Sequence, residues 1–337
     1  MCVLYNSWTS LLYIKSKTNL SLIFMYKLVW FCIFLLATFL IRAQDTVNIY
    51  TKELRLTIDN DVFTSLERDQ YYSSGLYLDY RWLSKKRVNK NKIINSISFH
   101  QQIYTPRRVS WNDPEDFDRP YAGLLGLTFN KEFYFKKNDY LKTSFELGLM
   151  GPNTLTDNFQ ITWHNILNIP IPAGWEYQIA NSPLINFHAS YAQQLMGNET
   201  LDLYSESDLS IGTIFNQFSQ KVLVRFSLLK NLTGSTLFGG NLGDLSSIKS
   251  TKKIIESYFF YAPGFIYNAY NATIEGNFIG PRSPHTEIAK SWIIQNQIGF
   301  ALSWTRFDLL TTYYFKTKET LDAEAHQYVG ITLNNRF

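Results

Sequence analysis

Three polar side chains stand together in the stretch LTIDNDVF: Asp59, Asn60 and Asp61. Carboxylate and amide oxygens are the ligands that a hard cation such as Ca²⁺ prefers. The twelve-residue spacing of a self-contained calcium loop is missing, so a cation site here has to be assembled from separate segments. The plain alternative is local, because Asn and Asp also end strands by bonding their own backbone in Asx turns.

Other candidates lie elsewhere in the chain. His164 sits in QITWHNIL with Gln160 four residues earlier, so one helical turn would place both on a single face. Histidine is the usual general base near neutral pH, although a single loop histidine is more often simply solvated. Ser73 and Ser74 are possible nucleophiles, but no GxSxG elbow marks either of them. Arg107, Arg108 and Arg119 form a basic group whose forked donors suit phosphate, with solvated loop charge as the rival account. His188, in the alternating run NFHASY, reads as an inward polar residue, and His100, His285 and His326 have no informative neighbours.

The elements that must position these residues are strands. Alternation of period two recurs in LKTSFELGLM, SWIIQNQIGFALSW, LLTTYYFK and the closing YVGITLNNRF, which ends on Phe337. Segments of about ten residues with one apolar face, many aromatics and polar turns are the signature of a transmembrane barrel. A soluble β-sandwich alternates too, but the strand lengths, the leader-like N-terminus and the final Phe favour the barrel. The expected fold is all-β: a transmembrane antiparallel β-barrel of about twelve strands with long extracellular loops. The stretch 151–182, with Pro152, Pro170 and Pro172, is too long to be an idle connection.

Residues 1–24 are expected to be an upstream extension and 25–44 a signal peptide, MYKLVWFCIFLLATFLIRAQ, leaving 45–337 as a single barrel domain. Both cysteines, Cys2 and Cys32, fall before residue 45, so the barrel uses neither disulfide nor thiolate chemistry. The net charge of +4 comes from Lys15, Lys17, Lys27 and Arg42 in residues 1–44, which hold no acid. A neutral body gives no footing for nucleic acid. After residue 44 no apolar run approaches the roughly 18–20 residues of a spanning helix.

With both ends of the barrel in the periplasm, strand one (about Glu53–Phe63) runs outward and carries DND to the extracellular rim. YYSSG, IYTP, DRPYAG and GPN then fall at the same level. Parity puts Asn60 on the lipid face with Leu54, Leu56 and Ile58, while Asp59 and Asp61 point inward. A cation site would thus straddle the rim through Asn60 and Asp61, with Asp59 left out.

Taken in order, IDND, YYSSGLYLDY, QQIYTP, DRPYAG, LGLMGPN, QITWHNIL and GWEYQI resemble the lipid A 3′-O-deacylase family of outer-membrane barrels. The resemblance runs from about residue 53 to 195, and more loosely to Phe337. It implies a twelve-stranded, calcium-dependent esterase that removes an acyl or acyloxyacyl group from the 3′ position of lipid A at the outer leaflet. By motif, Asn60 and Asp61 fall on the family's Asn-Asp pair near Ca²⁺, Ser73 on its Thr or Ser, and Gln160 and His164 on its loop Gln and His base. Arg107, Arg108 and Arg119 are the expected substrate contacts. The sequence departs where some members have Glu six residues after the His, since Pro170 stands there. Arg107 and Arg108 match a basic pair only loosely, and Ser182 precedes Pro183 where relatives have Glu. The implied partners are lipopolysaccharide, the outer membrane and the barrel-assembly machinery, with the protein acting as a monomer. The alternatives are a non-enzymatic barrel, either pore or structural, and an outer-membrane phospholipase.

Overall fold

The computed structural model describes residues 49–64, 69–85, 91–244 and 255–337. The expected leader and both cysteines lie outside the described residues. Among those described, no helix is long and apolar enough to cross a membrane. The chain forms two compact units, one of Asn48–Asn158 with Pro172–Phe337, the other containing Phe159–Ile171.

The larger unit is a closed barrel of twelve antiparallel strands in sequence order, with the first paired to the last. They are β1 (Lys52–Asn60), β2 (Tyr71–Leu83), β3 (Lys92–Thr105), β4 (Ala122–Tyr134), β5 (Tyr140–Met150), β6 (Ser182–Gly197), β7 (Leu201–Gly212), β8 (Phe215–Leu228), β9 (Glu256–Asn271), β10 (Trp292–Trp304), β11 (Phe307–Lys316) and β12 (His326–Arg336). Closure leaves no unpaired edge, which a strand in hydrocarbon requires. It is made by β1 against β12, where Leu56 faces Leu333 and Asn60 faces Val329. β1 stops at Asn60, short of the expected Phe63, with Asp61–Thr64 already turning.

The alternation resolves inside out. Leu54, Leu78, Phe99, Leu127, Phe145 and Phe187 are exposed on the outer wall, while Glu53, Arg81, Glu132 and Arg225 are buried within. Exposed apolar residues repeating on every strand are a lipid-facing band rather than a scatter of surface residues. Buried charge costs several kcal/mol per ion unless it is paired, and pairing is what the lumen provides. Arg81 meets Glu53 at 2.5 Å and Glu132 at 2.7 Å, and Arg225 meets Asp202 at 2.5 Å.

Residues 229–244 of the β8–β9 connection fold back into the periplasmic mouth, a plug that alternation gave no reason to expect. Phe238 stacks on Tyr140 at 4.6 Å, and its carbonyl accepts from the Tyr134 hydroxyl at 2.7 Å. Arg81 donates to the Gly239 carbonyl, and Lys92 to those of Thr233, Gly240 and Leu242. Gly239 has φ +70°, and a Cβ there would lie 2.5 Å from the Arg81 guanidinium, so only glycine fits. An open pore would have to displace this plug.

Two α-helices occur among the described residues: α1 (Thr156–Leu167), in the long connection after β5, and α2 (Ala272–Glu275), after β9.

Candidate functional site

The DND triplet separates into three different environments. Asp59 points into the lumen and accepts from the Tyr72 hydroxyl at 2.9 Å. Asn60 closes an Asx turn, its Oδ1 accepting from Val62 N at 2.8 Å, so the local account of the triplet holds for this residue. One lone pair on that oxygen remains in principle. Asp61 is buried at 2% exposure just past the end of β1.

Asp61 is the unusual one. Its Oδ2 accepts from Gln70 N at 2.6 Å, and its backbone N donates to the Ser73 carbonyl at 3.2 Å. Its Oδ1 has no partner among the described residues. Burial first, and then the nearby Asp69 charge, push its carboxyl well above the usual carboxylate range. Two more buried oxygens on the same β1–β2 hairpin also have no partner among the described residues: Ser73 Oγ and Gln70 Oε1. A buried carboxylate oxygen without a donor is expensive unless a proton or cation meets it. A carboxylate, an amide oxygen and a hydroxyl are a hard-cation donor set.

Ser73 is buried by an irregularity rather than by parity. The β2–β3 register shifts between Tyr72 and Ser74, which leaves Ser73 as the extra residue of a bulge. Bulges re-aim a side chain beside a site. Among the described residues no group of three or more His, Cys, Asp or Glu converges as a metal cluster. Any Ca²⁺ would therefore depend on these mixed oxygens, and the set fits it in type.

The second compact unit carries α1's Gln160 and His164, both buried at 4% and spaced to share one helix face, as expected. His164 Nδ1 lies 2.5 Å from the Pro170 carbonyl. A carbonyl only accepts, so Nδ1 carries the proton and the basic lone pair is on Nε2. The sequence leaves open which acid orients this ring. In the structure the Pro170 backbone oxygen holds it through Nδ1.

The three arginines part company. Arg107 is half-exposed and pairs with exposed Glu324 at 2.9 Å, a surface pair of little worth that other anions can replace. Arg108 is exposed, its guanidinium 5.8 Å from the Trp111 ring. Arg119 is wholly buried, contrary to its expected place as a substrate contact. It donates to Glu319 Oε2 at 3.0 Å and to Thr273 Oγ1 at 2.9 Å, and lies over Tyr104. Burial works to raise the Glu319 carboxyl, but Lys316 and Arg119 outweigh it and hold the group below its usual value. Arg119 is a lumen-side strut because its loop dips inward. Its predecessor Asp118 accepts from the Tyr71 hydroxyl at 2.8 Å and from Arg107 N at 3.0 Å, tying the loop to the top of β2.

Sequence reasoning missed a polar cluster inside the barrel. Glu146 Oε1 meets His100 Nε2 at 2.8 Å, and its Oε2 meets His188 Nε2 at 2.9 Å and Asn186 Nδ2 at 2.7 Å. Parity signalled that His188 points inward. Nothing in one strand named its partners on the next two.

A closed twelve-stranded barrel with a lipid-facing band, a polar lumen and an oxygen-rich rim defines an outer-membrane β-barrel protein. The model of the family "Outer membrane protein LpxR" matches residues 28–337. The chain belongs to that family, and the protein is a bacterial outer-membrane protein. Among solved structures, LpxR from Salmonella typhimurium is similar over 85% of this chain and all of its own, with 16% identity and a TM-score of 0.69. The β domain of the Bordetella autotransporter BrkA covers 86% of this chain and all of its own at 9% identity and 0.43. The KdgM porin covers 85% of this chain and 99% of its own at 6% and 0.39. Those two are too loosely similar to carry an argument. No curated protein sequence matches.

Proposed function

We propose that the protein is a calcium-dependent lipid A 3′-O-deacylase. The observation that carries this reading is the buried Asp61 carboxylate, one oxygen of which has no partner among the described residues, on one hairpin with buried Ser73 and Gln70 oxygens. Its setting in a barrel of the LpxR family supports it further.

Asp61, with Ser73 and Gln70 beside it and Asn60's remaining lone pair, would hold the ion. Calcium when bound supplies positive charge to the oxygen that becomes negative as an ester is attacked. His164 takes a proton from water on Nε2, with Nδ1 fixed by Pro170, and the water oxygen bonds to the acyl carbon. The acyl–oxygen bond then breaks, the 3′ hydroxyl receives the proton, and the fatty acid leaves. Gln160, one turn away on the same face, would orient that water. Arg107 and Arg108, at the outer end of β3, would meet the lipid phosphates, whereas Arg119, committed inside, is omitted from this role.

The barrel form suits this substrate. At about 0.8 kcal/mol per CH₂, lifting one twelve-carbon chain out of the bilayer costs roughly 10 kcal/mol. An enzyme already within the leaflet avoids that cost.

The test is to incubate the purified, heat-modifiable barrel with lipid A and Ca²⁺ and weigh the lipid by mass spectrometry. Loss of one 3′ acyl or acyloxyacyl mass is expected. An unchanged lipid mass would overturn the proposal, and fatty acid released from glycerophospholipid instead would turn it toward a phospholipase.

A further inference from the structure

We infer that the barrel lumen holds a second nucleophilic site, a Ser210–His188–Glu146 triad that acts on small carboxylic esters entering from the outer end. It does not depend on the lipid A reading, because none of its residues belongs to the rim hairpin or to α1.

The geometry is that of a nucleophile, a base and an orienting acid. Ser210 on β7 lies directly across from His188 on β6 in the strand register. Its hydroxyl is 2.8 Å from His188 Nδ1, while His188 Nε2 is 2.9 Å from Glu146 Oε2. A carboxylate accepts and never donates, so His188 carries its proton on Nε2. Nδ1 is then the lone-pair nitrogen, and the Ser210 O–H donates to it. This is triad logic with the two ring nitrogens exchanged relative to the serine-protease arrangement.

Glu146 is held rigidly for that role. Its Oε2 also accepts from Asn186 Nδ2 at 2.7 Å, and its Oε1 lies 2.8 Å from His100 Nε2. His100 is itself locked, stacked on Tyr77 at 5.7 Å and lying where a Cβ on residue 126 would have to go, which only Gly126 permits. His188 keeps 29% of its side chain accessible, so it is not sealed into a purely structural network.

Ser210 also lines a space. A cavity of about 230 Å³ in the outer half of the lumen is bordered by Ser210, Gln217, Tyr72, Tyr77, Tyr104 and Asn271. Gln217 is directly across from Ser210 on β8. One of its two amide hydrogens goes to Asn268 Oδ1 at 3.1 Å, and the other is available for an oxyanion.

The chemistry balances as an ordinary ester hydrolysis. Ser210 Oγ bonds to the acyl carbon as its proton passes to His188 Nδ1. The alcohol leaves with that proton, and water repeats the sequence to free the acid and restore the serine. Glu146 stabilises the imidazolium in between.

The test uses the full-length refolded barrel and diisopropyl phosphorofluoridate. In this reaction the P–F bond breaks, Ser Oγ bonds to phosphorus, and fluoride and the serine proton leave. Peptide mass spectrometry should find the adduct on Ser210. It should not appear on Ser219, which faces the same lumen but donates to Asp208. His188→Gln should slow labelling by about 10²-fold or more, and Ser210→Ala should abolish it, with heat-modifiability confirming each barrel. A folded native barrel with no adduct on Ser210, or equal labelling of Ser210 and Ser219, overturns the inference. So does an undiminished rate in a folded His188→Gln barrel. Should that variant not fold, the Ser210 and Ser219 comparison in the native chain decides alone.

Discussion

Replacing Asp61 by Asn tests the rim site through the cost of its buried charge. In the native chain one oxygen of that carboxylate is buried without a partner among the described residues, and burial together with Asp69 raises its carboxyl well above the usual range. Each pK unit of such a rise is about 1.4 kcal/mol of penalty on the charged form. Without Ca²⁺, then, Asp61 opposes folding as pH climbs from its unfolded value through its folded one. Asparagine keeps the acceptor for Gln70 N and removes the charge, so the metal-free variant should be as stable as the native barrel or more so at pH 8. Calcium reverses the order. Bound at 100 times its dissociation constant it stabilises the native chain by about 2.7 kcal/mol, or roughly 4 °C in Tm for a chain of this size, and it should do almost nothing for Asp61→Asn. The assay is urea unfolding in lipid vesicles, with Ca²⁺ and with EDTA, read by tryptophan fluorescence and gel mobility, alongside direct Ca²⁺ titration calorimetry. Equal calcium stabilisation of the two barrels, or none of the native one, would refute the reasoning.

Three further outcomes are expected. His164→Ala should lower lipid A deacylation by about 10²–10⁴-fold, while Pro170→Ala, which keeps the orienting carbonyl, should stay within several-fold of native in the same mass-spectrometric rate assay. Arg81→Met leaves Glu53 and Glu132 buried without their common partner, so urea unfolding should show about 3–5 kcal/mol of lost stability. His285, in the loop after β9, is lowered from its usual pKa by burial, and Glu287 at 3.6 Å is too far for a hydrogen bond to offset it. Its contribution is therefore full above about pH 6.5 and is lost as pH falls through the lower folded value. Hydrogen exchange around residues 276–291 should rise between pH 7 and pH 5, and His285→Leu should remove that rise.

Much of the fold was legible because alternation is a local property. Leu54, Leu56 and Ile58 on one face and Asp59 and Asp61 on the other could be assigned from a single strand, and the structure keeps that parity. The twelve-strand barrel and the spacing of Gln160 and His164 on one helix face follow from the same kind of periodicity. Arg119 was misjudged because sequence gives a loop's position along the barrel but not its depth. That depth is set by Asp118's bonds to Tyr71 and to Arg107's backbone.

What the sequence determined by itself, then, was which residues face lipid, which face the lumen, and that polar groups gather at the rim. Only the tertiary structure decided which lumen-facing residues meet. Register across β3, β5, β6 and β7 joins His100, Glu146, His188 and Ser210, residues as many as 110 positions apart. The plug that Gly239 carries into the periplasmic mouth, the bulge that buries Ser73 and the Pro170 carbonyl on His164 are likewise tertiary decisions. The physical reason is that side-chain direction is written in every second residue of one strand. Hydrogen-bond partners depend instead on how neighbouring strands are staggered and how far each loop folds in, and no single segment encodes either.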